Sequence, residues 1–386
     1  MNIVFISNFM NHHQLSLCNY LYNNCESFYF VCMDKMPEST KNFGYNDLSN
    51  LPYVINYEEG EDYVKKIESL VLSCDVAIFG ANSNHFLKLR MKENKLSFIF
   101  SERLFKLGTY RRFIPPIRKK VNDRFTNYKN SNLYVLASSC YLSYDLSLIG
   151  FSKEKCFKWG YFTEVENLNP LEVLKNKDEV FTICWVGRFI KLKRAKDLIK
   201  SANLLKKQGF KFKIKFVGSG ELFNDYKKLV KKYKLDSYVE FLNSMPQEKV
   251  REVMKSSHAL VFSSNFKEGW GAVVNEAMSS CCVPVVSHAV GSSKFLVNNY
   301  NNGLIYKMGS CKDLTKKLKF LIENPEVCNK MAVQAHNTIS TIYNGEIAGK
   351  RLIEFSYSLL NNESPINYEN GPLSNAEIIK NNWFKG

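Results

Sequence analysis

The chain has 386 residues, 45% apolar and 23% charged, with 53 basic and 37 acidic side chains and a net charge of +16. That length predicts two domains, each able to bury its own core. The composition is ordinary for a soluble globular protein, and no apolar run approaches the ~18 residues of a membrane span. The charge favours anionic partners, whether nucleotide diphosphates, nucleic acid or anionic lipid.

Met1-Asn2-Ile3-Val4-Phe5-Ile6 lacks the basic residues of a signal peptide and is expected to be a first strand. Further short apolar runs follow at 28–33, 75–79, 97–100 and 133–137 in the first half. In the second half they fall at 180–186, 212–217, 238–242, 259–263 and 283–287. These runs are continuous rather than alternating, which predicts parallel strands covered on both faces. Stretches such as 194–207 and 221–235 have helical spacing, so the pattern is α/β. Periodicity lapses near 163–179. The expected division is a Rossmann-like domain over 1–165, a second over 175–345, a last helix at about 345–360, and a loosely packed tail over 361–386 with a short helix. Two such domains would face one another across a cleft suited to ligands.

Eleven cysteines occur without any C-x-x-C pair, and Cys32, Cys74 and Cys184 sit in or beside strands. They are expected to pack as free thiols in a reducing cytoplasm, with no metal site.

Three motifs in the second half reinforce one another. Gly187-Arg188-Phe189 follows the run 180–186, with Lys193 five residues beyond the arginine. A strand-end glycine turns the backbone, and two cations there suit a diphosphate. Gly218-Ser219-Gly220 follows the run 212–217, where glycines permit close approach to a ligand or simply make a β–α turn. Third comes Glu268-Gly269-Trp270-Gly271-Ala272-Val273-Val274-Asn275-Glu276, in which two acids flank a glycine-rich turn and a helix start. Backbone N–H groups near Gly271, Ala272 and Val273 would face a phosphate. Glu276 suits the vicinal hydroxyls of a ribose, and Glu268 the hydroxyls of a sugar. The plainer alternative is a capped helix bearing two exposed carboxylates.

The order and spacing of these motifs resemble those of family-four retaining glycosyltransferases, whose E-x7-E run corresponds to Glu268 and Glu276. The resemblance implies the GT-B fold and transfer of a hexosyl-type sugar from a nucleotide-sugar donor, UDP- or GDP-linked. Arg188 and Lys193 would hold the diphosphate, Glu276 the ribose and Glu268 the sugar. Gly218, Gly220, Gly269, Trp270, Gly271, Ala272 and Val273 would complete the donor site, with Asn243 beside the base. It also implies that the helix at 345–360 packs back on the first domain.

The acceptor side is expected in the first half. The loop Asn8-Phe9-Met10-Asn11-His12-His13-Gln14 lacks the glycine pair of many relatives, so Asn11, His12 and His13 are candidates for acceptor or phosphate contact. The histidines could equally cap the following helix. Glu102, after the run 97–100, and His85 are candidate catalytic groups. Residues 103–124 carry eight basic side chains and one acid among aromatic residues, a segment suited to an anionic membrane face or to a solvated basic helix. No D-x-D sequence occurs, so two protein cations are expected to serve in place of a metal, with no cofactor beyond the donor. The acceptor is expected to be a glycan or lipid-linked oligosaccharide in bacterial surface polysaccharide assembly, on the cytoplasmic side of the membrane. A nucleotide-sugar epimerase or a catalytically silent scaffold are the alternatives. Nucleic acid is not an expected partner, because no reading motif is present.

Overall fold

The computed structural model describes residues 1–37 and 47–385. The chain forms two compact units: Met1–Glu164 with Ile342–Lys380, and Val165–Thr341 with Asn381–Gly386.

Unit 1 is built on seven parallel strands: β1 (Asn2–Ser7), β2 (Ser27–Cys32), β3 (Val54–Ile55), β4 (Val76–Phe79), β5 (Ser97–Ser101), β6 (Leu133–Ala137) and β7 (Cys156–Lys158). Their order across the sheet is β3-β2-β1-β4-β5-β6-β7. Ile3 to Ile6 and Val76 to Phe79 are all buried, as a sheet covered on both faces requires. The helix Gly345–Leu360 belongs to this unit and lies against the helix His12–Asn24. A Cβ on Gly345 would stand 2.4 Å from the Leu17 nitrogen, so the close helix crossing depends on that glycine.

Unit 2 has six parallel strands: β8 (Thr182–Val186), β9 (Lys213–Val217), β10 (Val239–Leu242), β11 (Ala259–Phe262), β12 (Val283–Ser287) and β13 (Leu304–Tyr306). Their order is β10-β9-β8-β11-β12-β13. The core beneath them gathers Trp185, Phe189, Phe212, Phe216 and Val285 with helix residues Leu198, Leu205 and Leu318.

The last segment differs from expectation. No helix occurs between residues 361 and 385, and the segment is not loose. Lys158 donates from its backbone to Ser374 (2.8 Å), and Leu373 and Ala376 donate back to Lys158 and Cys156. This pairing covers the β7 edge, buries Leu373 and Ile379, and satisfies backbone groups that an open edge would leave exposed. All eleven cysteines are free thiols.

Candidate functional site

In each sheet the strand order reverses beside the unit's first strand, between β1 and β4 in unit 1 and between β8 and β11 in unit 2. In open α/β sheets ligands favour the carboxyl ends of the strands at such a reversal.

In unit 2 the loop after β8 is shaped by Phe189. Its ring is buried against Trp185 (5.0 Å between centroids), Phe223 and Phe241, which leaves Arg188 exposed at the sheet end. The neighbouring loop locks onto it: Phe189 N donates to Ser219 O at 2.8 Å and Leu222 N to Phe189 O at 2.9 Å. Gly218 has φ +134°, and a Cβ there would sit 2.1 Å from the Gly187 carbonyl oxygen. Gly218 and Gly220 therefore bring two backbones together, a role inside the protein beside any contact with a ligand. Asn243 and Ser244 follow β10 in the next loop, joined to the Gly218-Ser219-Gly220 turn by the Ser219–Ser244 hydroxyl bond of 2.9 Å.

Lys193 and Glu268 meet here. The Lys193 ammonium lies 2.7 Å from Glu268 Oε2 and 4.8 Å from the centre of the Phe262 ring. Ser264 donates its hydroxyl to the same carboxylate oxygen at 2.8 Å. Ser263, bonded by Trp185 Nε1, donates to the Lys193 carbonyl and fixes the loop that carries the lysine. Both charged side chains are largely buried, so the pair is oriented rather than mobile. Gly269 and Gly271 form the turn that follows; a Cβ on Gly271 would come within 2.4 Å of the Phe262 ring. Ala272 and Val273 then open the helix Val273–Ser279, which has no side-chain cap. Glu276 on this helix is 8% exposed and accepts from Gln247 Nε2 at 3.1 Å. The two glutamates are therefore not the exposed carboxylates of the plainer alternative.

Trp270, a candidate for the donor site, turns its side chain into the core. Its indole is fully buried and donates to Asn275 Oδ1 at 2.8 Å, as a buried N–H must.

In unit 1 the corresponding strand ends line a cavity of about 850 Å³. Asn11, His13, His85 and Glu102 all border it. Asn11 caps the helix His12–Asn24 by accepting from His13 N at 3.0 Å, so the asparagine and not a histidine makes the cap. The His12 and His13 rings lie 4.0 Å apart, and His13 stacks on Tyr161. Burial, aided by His12, holds His13 well below the usual imidazole range. Glu102 pairs with Lys106 and accepts from the Tyr161 hydroxyl at 2.9 Å. His85 is exposed on the rim and bonded to Glu68 at 2.7 Å. Gln247, Ser264, Tyr161 and Arg124 also border these two regions. From sequence, Arg124 is one of the eight basic residues of 103–124, and nothing distinguishes Gln247, Ser264 or Tyr161.

Residues 170–338 match the family model described as glycosyl transferases group 1, a span that contains Arg188, Lys193, Glu268 and Glu276. The chain is 29% identical over 164 residues to an uncharacterized glycosyltransferase of Haemophilus influenzae, covering 42% of this chain and 44% of that protein. It is 25% identical over 229 residues to CapM, a capsular polysaccharide biosynthesis glycosyltransferase of Staphylococcus aureus, covering 57% of each. The matches thus span about half the length of these curated relatives. Among solved structures, the Anabaena protein HepE in complex with UDP matches 93% of this chain and all of its own, with a TM-score of 0.71 at 14% identity. That likeness is one of fold: two Rossmann-like parallel-sheet units, as in GT-B glycosyltransferase structures.

Proposed function

We propose that this chain is a glycosyltransferase of the family-four retaining type, moving a hexosyl-type sugar from a nucleotide-sugar donor to a glycan or lipid-linked acceptor. The observation that carries the reading is the oriented Lys193–Glu268 pair at the strand-order reversal of unit 2, inside the span matched by the group 1 family. Arg188 and Lys193 neutralise the departing diphosphate, supplying with protein cations what a divalent metal would otherwise supply. Glu276 binds the ribose hydroxyls. Glu268 orients the sugar by accepting from its hydroxyls. The acceptor hydroxyl attacks the anomeric carbon on the face the diphosphate leaves, and its proton passes to a leaving phosphate oxygen, so configuration is retained. Glu102 and His85 lie on the acceptor side.

The UDP bound by HepE and the capsule role of CapM favour UDP-sugars as first donors and a surface polysaccharide as product. The segment 103–124 adds a membrane-facing element. Leu107, Tyr110 and Phe113 are 50–69% exposed, and the helix Pro115–Arg124 that follows displays Arg118, Lys119 and Lys120. Each cation near an anionic surface contributes about 1 kcal/mol. No described helix is long and apolar enough to cross a membrane.

The test is a melting-temperature panel of UDP-, GDP- and ADP-sugars against wild type and Glu276→Ala. Stabilisation by one nucleotide class, lost in the variant, is the expected result, followed by transfer of the sugar with its stereochemistry unchanged. A folded sample that no donor stabilises would overturn the reading in favour of a scaffold. An epimerised free nucleotide-sugar would point to the epimerase.

A further inference from the structure

The cavity of unit 1 holds charges that the transfer step does not use. Arg103 is matched by buried Asp145 at 3.1 Å, Lys106 by Glu102, and His85 by Glu68. Two cations of the cavity wall remain, Lys120 and Arg124, and neither is in an ion pair among the described residues. They stand four residues apart on the helix Pro115–Arg124 and so share a face.

Arg124 is the more telling of the two. Its guanidinium donates to the carbonyls of Phe79 (3.1 Å) and Gly80 (2.6 Å) at the end of β4, and to Asn84 Oδ1. These partners are dipoles, and none is an acid. The guanidinium's N–H donors outnumber these three bonds, so part of its fork is left for another acceptor. Burial lowers its pKa to about 10, which leaves it charged at neutral pH but poorly hydrated. The same cavity is also bordered by the neutral amides of Asn8, Asn11 and Asn82, and by Glu102, whose carboxylate is paired with Lys106. A partly buried cation with spare donors and no ion pair among the described residues is the electrostatic complement of an oxyanion, to which a guanidinium binds in a planar fork.

We propose that this cavity is an oxyanion site, in which Arg124 and Lys120 hold a phosphate or carboxylate carried by the acceptor. Calling the ligand an acceptor rests on the glycosyltransferase reading; the binding of an oxyanion does not. The acceptor is then a charged molecule, either a soluble acidic or phosphorylated saccharide or a lipid with a phosphate headgroup.

Calorimetric titration of the full chain at fixed ionic strength tests this, with glycerol 1-phosphate, glucuronate and uncharged glycerol as probes. Neutral vesicles with and without a long-chain alkyl phosphate test the lipid source. The expected result is saturable binding of at least one anionic probe and none of glycerol. Lys120→Gln weakens it about tenfold, and Arg124→Gln abolishes it. Because Arg124 also ties the end of β4, the exposed Lys120 provides the variant whose folding is not in question. UDP titration serves as the second arm. UDP affinity unchanged in both variants, and phosphate affinity unchanged in Glu276→Ala, separates this site from the donor site. Anionic binding without UDP binding would leave the site standing and remove the transferase reading. UDP binding with equal affinity for glycerol and its phosphate, or an unweakened Lys120→Gln, would overturn the oxyanion site. Arg124-dependent retention on alkyl phosphate vesicles alone would assign the phosphate to a lipid, and binding of soluble probes alone to a saccharide.

Discussion

The two units solve one topological problem with different chemistry. Each has its first strand third in the sheet order, with the order reversing beside it, and each collects polar residues at the carboxyl ends there. Unit 2 closes that place. Its loops are joined backbone to backbone through Gly218, and its lysine and glutamate satisfy one another at 2.7 Å. Unit 1 leaves it open as a cavity with two cations that no acid pairs among the described residues. The difference teaches that the sheet determines where a ligand meets the unit, while the loops and the following helices determine its chemistry. A closed, internally paired site is preorganised for a fixed group such as a nucleoside diphosphate. An open one suits a bulkier and less uniform partner.

The strongest way to break this comparison is to remove one oriented charge from each side. Lys193→Ala is expected to lower turnover by roughly a hundred- to a thousandfold, the usual worth of a preorganised group facing developing charge. Glu102→Gln keeps its shape and its contact with Tyr161, and is expected to lower turnover by about tenfold, the worth of one hydrogen bond. Steady-state transfer assays on both variants measure the contrast. Equal losses would remove the distinction between a preorganised donor side and an adaptable acceptor side.

A second contrast concerns stability. Gly218→Ala places a Cβ 2.1 Å from a carbonyl oxygen at φ +134°, and is expected to destabilise by about 3 kcal/mol. Gly80, at the end of β4, lacks a left-handed φ. A Cβ there would meet Ser7 Oγ at 2.5 Å and Ser7 Cβ at 2.8 Å but no backbone atom closer than 3.1 Å, so Gly80→Ala is expected to cost less, about 2 kcal/mol. Denaturant midpoints for the two variants give the comparison. Similar values would mean that the unit 2 loops yield as easily as the cavity rim.

These contrasts also show what could be read from the chain alone. Strands such as β1, β8 and β12 are continuous apolar runs and were legible as parallel elements. β3, β7 and β13 hold two or three residues each, too few for a pattern. They exist because distant strands pair with them, Phe30 lying in register with Val54 and Val285 with Leu304. Lys193, Glu268 and Glu276 could be singled out because a glycine-rich turn separates the acids and a strand-end glycine precedes the lysine. Gln247 could not, since its bond to Glu276 joins residues 29 apart. Arg124 was one basic residue among eight until the fold brought it to Phe79, 45 residues away. The bond from the Trp270 indole to Asn275, on the following helix, could not be read from the chain alone.

The smallest expected effect is a pH dependence that the two units share in sign but not in origin. In unit 2 His258 accepts from Thr182 N at 3.1 Å and stacks on Phe181. Burial, aided by Lys177 and opposed by Asp178, lowers it to about 4. Its folded pKa lies below the unfolded value of about 6.5, so the unfolded chain takes up the proton first. The stability this provides is complete above about pH 6.5 and is lost as pH falls towards 4. Partial exposure limits the change to about 1 kcal/mol, and His258→Gln is expected to flatten it in a denaturant series from pH 7 to 4.5. In unit 1 burial and His12 lower His13 in the same direction, so acid weakens that unit too. His13, however, borders the cavity, and an oxyanion bound there would stabilise its protonated form. Glycerol 1-phosphate is therefore expected to reduce the acid loss of wild type and of His258→Gln, and to have a smaller effect on His13→Gln. Identical protection of both histidine variants would mean that the anion binds away from the cavity, and the contrast between a closed and an open strand-end site would lose its chemical basis.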